Sequence, residues 1–230
     1  MLGLSPNDID YIAFDHFHTQ DLRPQLGTTD GRLLARFPKA KLLAPKLEWE
    51  AWDDLHPLQR AWFIQDGKRG VNVGNVVMTD SDLELGDGVW LMRTPGHSVG
   101  NQTLFINTSS GVWGCSENGT CADAYSPLDS RIPGVRNGAL STEMEVTLNG
   151  NTVEQTADQY TSMILERTLV DRVKSAPSFV QMFASSEVTP SVLAPGLSPT
   201  LLFGSITSGS IVRPVTKRES SGVASQAAAE

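Results

Sequence analysis

Cysteine is scarce: 230 residues contain only Cys115 and Cys121. Two cysteines make no disulfide framework, so the fold must rest on a hydrophobic core, and a reduced, cytoplasmic setting is expected. No run approaches the roughly 18–20 apolar residues that a membrane-spanning helix needs, so no membrane partner is expected. Residues 1–10 carry neither a basic start nor an apolar stretch, so no secretory signal is read there. Lys and Arg are outnumbered 18 to 26 by Asp and Glu, for a net charge of −8, and they form no cluster. That pattern disfavours a nucleic-acid partner. Histidine is also sparse, with four in the chain. Hydrophobic residues are plentiful at 40%, with 19% charged, which excludes wholesale disorder. The length suits one domain, read as residues 1–215, with a flexible Ser/Ala-rich tail at 216–230.

Short apolar runs between turn residues predict strands at 11–14, 41–44, 75–78, 88–93, 103–106, 111–114, 179–183 and 200–203. Ser5, Pro6 and Asp8 predict a brief helical start. The Trp-rich stretch 48–64 predicts a helix broken at His56-Pro57, and 117–138, with no periodicity, predicts a long loop. Thr152 and Gln155 form a capping-box pattern that opens the clearest helix, at 152–173. Loose alternation of strands and helices places the fold in the α/β or α+β class around a layered sheet core.

Three of the four histidines sit where chemistry gathers. His16 and His18 form a His-x-His pair just past the first strand, and in extended chain residues i and i+2 point the same way. His97 lies in a Pro-Gly-His-Ser loop after another strand. Ligand sites in open α/β sheets collect at such strand ends. Three imidazoles with an open water position form a known catalytic zinc arrangement. Zinc there lowers the pKa of bound water from about 15.7 to about 7 and supplies hydroxide at neutral pH. The alternative for a His-x-His pair is two surface or hydrogen-bonded histidines. The carboxylates Asp15 and Asp21 and the third loop histidine weigh against it.

These residues carry a resemblance. Ser5-Pro6-x-Asp8-Ile9-Asp10-Tyr11-Ile12 leading into His16-x-His18, followed by Thr94-Pro95-Gly96-His97-Ser98-x-Gly100, resembles the metallo-β-lactamase fold superfamily, in register over about residues 3–120 and more loosely to about 212. The resemblance implies a four-layer αβ/βα sandwich with a metal centre at the sheet edges. It also implies hydrolysis of esters, lactones, thioesters or phosphodiesters. His16, His18 and His97 match the ligands of the first metal.

The chain departs from the superfamily pattern elsewhere. The first motif, His-x-His-x-Asp-His, reads here His16-Phe17-His18-Thr19-Gln20-Asp21. The motif's aspartate is Gln20, which does not ionise and is a poor base. Its last histidine is Asp21, which can still bind metal through oxygen. Glu117 stands in for the bridging aspartate. No histidine follows His97, so the final ligand of a second metal is missing. One zinc ion is therefore expected, with a second less supported. Asp21 and Glu117 are the candidates for a weak second site or for proton transfer. Asp15 is a candidate partner that orients an imidazole, and Gln20 a neighbour of the ligands. The resemblance also implies strands ahead of the first motif. Their absence would leave a sheet edge bare, which makes a homodimer an expectation.

The remaining candidates each have a plainer reading. His56 is structural or exposed. Cys115 and Cys121 are core thiols rather than ligands. Asp123 and Tyr125 pack rather than stabilise an oxyanion. Trp49, Trp52 and Trp62 form core or line a substrate groove. Arg131 and Arg136 are solvated loop charges rather than anion binders. The expected function is a metal-dependent hydrolase of a small-molecule ester or lactone. The alternative is a non-catalytic protein that keeps the scaffold to bind a partner.

Overall fold

The structure, a computed structural model, describes residues 3–150, 156–188 and 198–203. Two sheets carry the fold. In the first, β1 (Tyr11–Ala13), β2 (Lys41–Pro45) and β3 (Val76–Thr79) run parallel in that order. The middle strand is apolar and buried after Lys41, as expected of a strand covered on both faces. The second sheet is ordered β10-β7-β6-β5-β4. Here β4 (Leu83–Gly86), β5 (Val89–Arg93), β6 (Gln102–Thr108) and β7 (Gly111–Cys115) form an antiparallel meander, and β10 (Met182–Phe183) adds parallel to β7. Strands β8 (Arg172–Val173) and β9 (Ala176–Val180) make a separate hairpin.

Each sheet has its own core. Leu42 and Ala44 of β2 pack with Leu26 of α1 (Arg23–Leu26) and with Phe17, Leu22, Trp52, Phe63 and Val71. Phe105 of β6 and Met182 of β10 pack with Met163 of α5 (Thr156–Leu169), and with Tyr125 of α3 (Ala122–Tyr125) and Val146. The sheets meet where Gln102, opening β6, donates its backbone N–H to Asp15 O at 2.9 Å and its Nε2 to Phe14 O at 2.8 Å.

Most strands fall where apolar runs predict them, and the differences have physical reasons. The helix expected over 48–64 shrinks to α2 (Lys46–Ala51), because the Asp53-Asp54 pair and Pro57 hand the chain to turns. The loop expected at 117–138 holds α3 and the start of α4 (Val135–Thr142). A four-residue element is too short to show a period. The helix read as 152–173 runs from Thr156 to Leu169, and the chain then turns into β8. The capping box and the tail lie outside the described residues. Residues 200–203 form no strand. Instead Thr200 is held by the buried carboxylate of Asp123, which accepts from its N–H at 2.8 Å and its hydroxyl at 2.5 Å.

Candidate metal centre

Both histidine-bearing segments leave their sheets at the C-terminal end of a strand. After β1 the chain alternates. Phe17 is fully buried, its ring 5.3 Å from that of Trp52. Anchoring Phe17 in the core sends its neighbours the other way, and the rings of His16 and His18 lie 4.5 Å apart. After β5, residues 94–101 fold into a tight loop closed by Thr94 N–H to Asn101 O at 3.0 Å. Gly96 lets that loop touch α5: a Cβ there would stand 2.4 Å from Gln159 Cα. The N–H of His97 donates to Asn118 Oδ1 at 2.8 Å.

The three rings converge through one nitrogen each. His97 Nε2 is 3.1 Å from His16 Nε2 and 3.2 Å from His18 Nδ1. All three nitrogens lie within 4.8 Å of one another, and all three residues are buried. A tetrahedral zinc ion with bonds of about 2.0–2.1 Å spaces its nitrogen ligands at about 3.3–3.4 Å, close to what is found. Polar groups stand on the far side of two rings. His18 Nε2 lies 2.9 Å from Gln59 Oε1, and His16 Nδ1 lies 3.2 Å from Asp15 Oδ1. Gln59 takes the ring proton of His18 and leaves its converging Nδ1 with a lone pair, while Asp15 stands beside His16 as an ion-pair partner. Two ring nitrogens then face His97 Nε2, which has at most one proton to share between them. A cation satisfies all three nitrogens together. The residues present therefore fit one ion with three imidazole ligands. Among the described residues no other group of three or more His, Cys, Asp or Glu converges in this way.

Burial sets the charge state. It pushes His97 down to about 2, helped by the neighbouring rings of His16 and His18. It pushes His18 down to about 4, with His16 again adding repulsion. Burial also presses on His16, but the Asp15 carboxylate more than compensates, with Glu48 and Glu117 adding to it, and the pKa stands above the ordinary value. Asp15 is lowered in return: the His16 ring and the Ser185 hydroxyl outweigh its own burial.

A cavity of about 550 Å³ opens at the cluster, within the range typical of small-molecule sites. Asp15, Gln20 and Glu117 line it along with the histidines. Glu117 follows β7, and its Oε1 accepts from Ser185 Oγ at 2.8 Å and Ser186 N–H at 2.5 Å. Ser185 Oγ also lies 2.9 Å from Asp15 Oδ2, and its single proton serves one carboxylate at a time. Asp21 is not brought to the cluster. Arg23 holds it at two points, with Nε to Oδ1 at 2.8 Å and Nη2 to Oδ2 at 2.7 Å. Of the tryptophans, Trp52 is core, Trp49 packs against it, and Trp62 lines the cavity. Cys115 lines it too, while Cys121 is buried elsewhere. His56 is exposed, and Arg131 and Arg136 are exposed away from the cavity. Tyr125 is fully buried and donates to Glu166 Oε2 at 2.8 Å.

Sequence reasoning missed Gln59, Asn118 and Glu166. Asn118 carries the His97 loop and is itself held: its Nδ2 donates to Thr94 O at 2.9 Å and Glu166 Oε1 at 2.8 Å. An amide far along the chain from the ring it steadies leaves no spacing to find.

Several solved structures are similar to this chain. A "probable metal-dependent hydrolase" from Staphylococcus aureus superposes with a TM-score of 0.50 at 16% identity, over 72% of this chain and 50% of that one. An N-acyl homoserine lactone hydrolase, with N-hexanoyl-L-homoserine bound at its catalytic metal centre, matches at 22% identity and a TM-score of 0.46, over 72% and 53%. A hydrolase of the beta lactamase superfamily matches at 14% identity and a TM-score of 0.39, over 71% and 54%. The chain has the metallo-β-lactamase fold. It spans about half the length of these structures. No protein-family model matches it, and no curated protein does. The α/β class agrees with the sequence pattern, and the three histidines that could hold a metal converge past strand ends.

Proposed function

We propose that this chain is a metal-dependent hydrolase in which His16, His18 and His97 hold one zinc ion and the substrate is a neutral ester or lactone. The observation that carries the reading is the convergence of three buried ring nitrogens, one of them on a ring whose far nitrogen is already hydrogen-bonded to Gln59. Bound zinc supplies a Lewis acid and a water acidic enough to ionise near neutral pH. Glu117, fixed by Ser185 and Ser186 on the cavity wall, is the carboxylate placed to take a proton from water and return it to the leaving oxygen. Asp15 pairs with His16 across 3.2 Å and balances its charge. Gln20 lines the cavity without titrating, and Asp21 is committed to Arg23. A neutral substrate follows from the lining: Asp15 and Glu117 together balance the charge of one divalent ion, Phe14, Leu91 and Leu104 offer an apolar wall, and no Lys or Arg among the described residues faces it.

The test is metal content followed by turnover. Purified protein grown with zinc should hold close to one ion per chain, and His97→Ala should lose most of it. Neutral aryl esters and lactones should be cleaved in a chelator-sensitive way, and bis-aryl phosphate anions should not. Protein that stays free of metal removes the reading. Metal-loaded protein without turnover instead supports a binding scaffold, which the Gln20 substitution and the Asp21–Arg23 pair favour.

A further inference from the structure

A glutamate in a hydrophobic core is costly unless its carboxylate finds partners. Glu48 sits on α2 between Leu47 and Trp49 and is 1% exposed. Both its oxygens are taken by backbone. Oε1 accepts the N–H of Phe17 at 3.2 Å, and Oε2 accepts the N–H of Gly100 at 3.0 Å. Phe17 stands between His16 and His18, and Gly100 lies three residues past His97. One side chain thus joins the two loops, which come from different sheets. Gly100 makes the approach possible, since a Cβ there would stand 2.4 Å from Glu48 Cβ. Both contacts are long-range, Phe17 and Gly100 lying 31 and 52 residues from Glu48.

We infer that Glu48 is a positioning residue: its carboxylate clamps the His16–His18 segment to the His97 loop at the spacing that lets the three imidazoles converge. The inference rests on the metal reading above and deepens it. Glu48 touches neither ligand atom nor cavity, so it acts through the backbone of its neighbours. A group that orients ligands in this way is typically worth about tenfold to a hundredfold in metal affinity.

The experiment compares the full-length chain with Glu48→Gln, which keeps the shape but turns an NH2 toward one of the two backbone donors. Zinc affinity is read by competition with a chromophoric chelator, at a temperature where circular dichroism shows both proteins folded. The expected result is a Kd weakened by about tenfold or more and a changed cobalt d–d spectrum, with Glu48→Asp recovering part of the loss. An affinity within twofold of wild type and an unchanged cobalt spectrum overturn the inference, whatever the loss in Tm. If Glu48→Gln does not fold, amide exchange in the metal-free wild type decides. Protection at both Phe17 and Gly100 upholds the clamp, and fast exchange at either overturns it. Wild-type protein that binds no zinc sinks the metal reading instead, and the two amide rates still decide the clamp.

Discussion

A buried metal ligand is only as well placed as the groups behind it. His97 takes its place from Asn118, and Asn118 is held by Glu166, a fully buried carboxylate that also accepts from Thr103 at 2.6 Å and from Tyr125 at 2.8 Å. Burial raises the Glu166 pKa above 4.5, even though Thr103, Tyr125 and Asn118 donate to it. A folded-state pKa above the unfolded one contributes stability in acid, fully present below the unfolded value and lost as pH rises through the folded value. Glu166→Gln mimics the protonated acid: its carbonyl accepts from Thr103 and Asn118, and its NH2 donates to the Tyr125 oxygen. The variant should therefore gain on wild type over the window that opens as pH rises past the ordinary carboxylate value. The measurement is the difference in Tm between the two proteins at each pH. A difference that is flat or falls over that window would refute the burial argument.

Elements meet at the centre through close contacts that tolerate no extra atom. The Pro95-Gly96-His97 turn rests on α5, with Gln159 donating its Nε2 to Asn118 O at 2.9 Å beside it. Gly96→Ala would drive a Cβ into the backbone of α5 at Gln159, so either the helix or the His97 loop must move. Such overpacking costs about 1–3 kcal/mol. At this site it should also weaken zinc binding, because the displaced loop carries a ligand. Loss of Tm with unchanged zinc affinity would show that the helix yields and the loop does not.

The same contacts explain what was visible before the structure. The three histidines stand out because histidine is rare here and two of them share a strand-end pair. β2 and β5 were legible as apolar runs closed by Pro45 and by the Thr94-Pro95 turn. β4 was not: Leu83-Glu84-Leu85-Gly86 lies between Asp82 and Asp87 and reads as a turn, and only its ladder with β5 makes it a strand. Gln59 reaches His18 across 41 residues and Asn118 reaches His97 across 21, by tertiary packing alone. Asp21 looked like a ligand because Arg23, two residues on, carries no signal that it will claim the carboxylate.

At the scale of the whole molecule the centre is a joint. His16 and His18 belong to the first sheet's edge and His97 to the second, and each sheet packs its own core. An ion held by all three would tie together two units that are also joined by the hydrogen bonds of Gln102 and Glu48. Binding to the folded state alone then stabilises it by mass action, about 2.7 kcal/mol at a hundredfold excess of free zinc over Kd. For a domain of this size that is roughly 5–10 °C in Tm. The expected outcome is a Tm that climbs with added zinc, falls back with chelator, and stays nearly flat in His97→Ala, where one sheet no longer contributes a ligand. Differential scanning calorimetry of the three samples is the check. A wild-type Tm indifferent to zinc would mean that the imidazoles meet for packing rather than for a metal. An equal rise in His97→Ala would mean that zinc binds somewhere other than the joint.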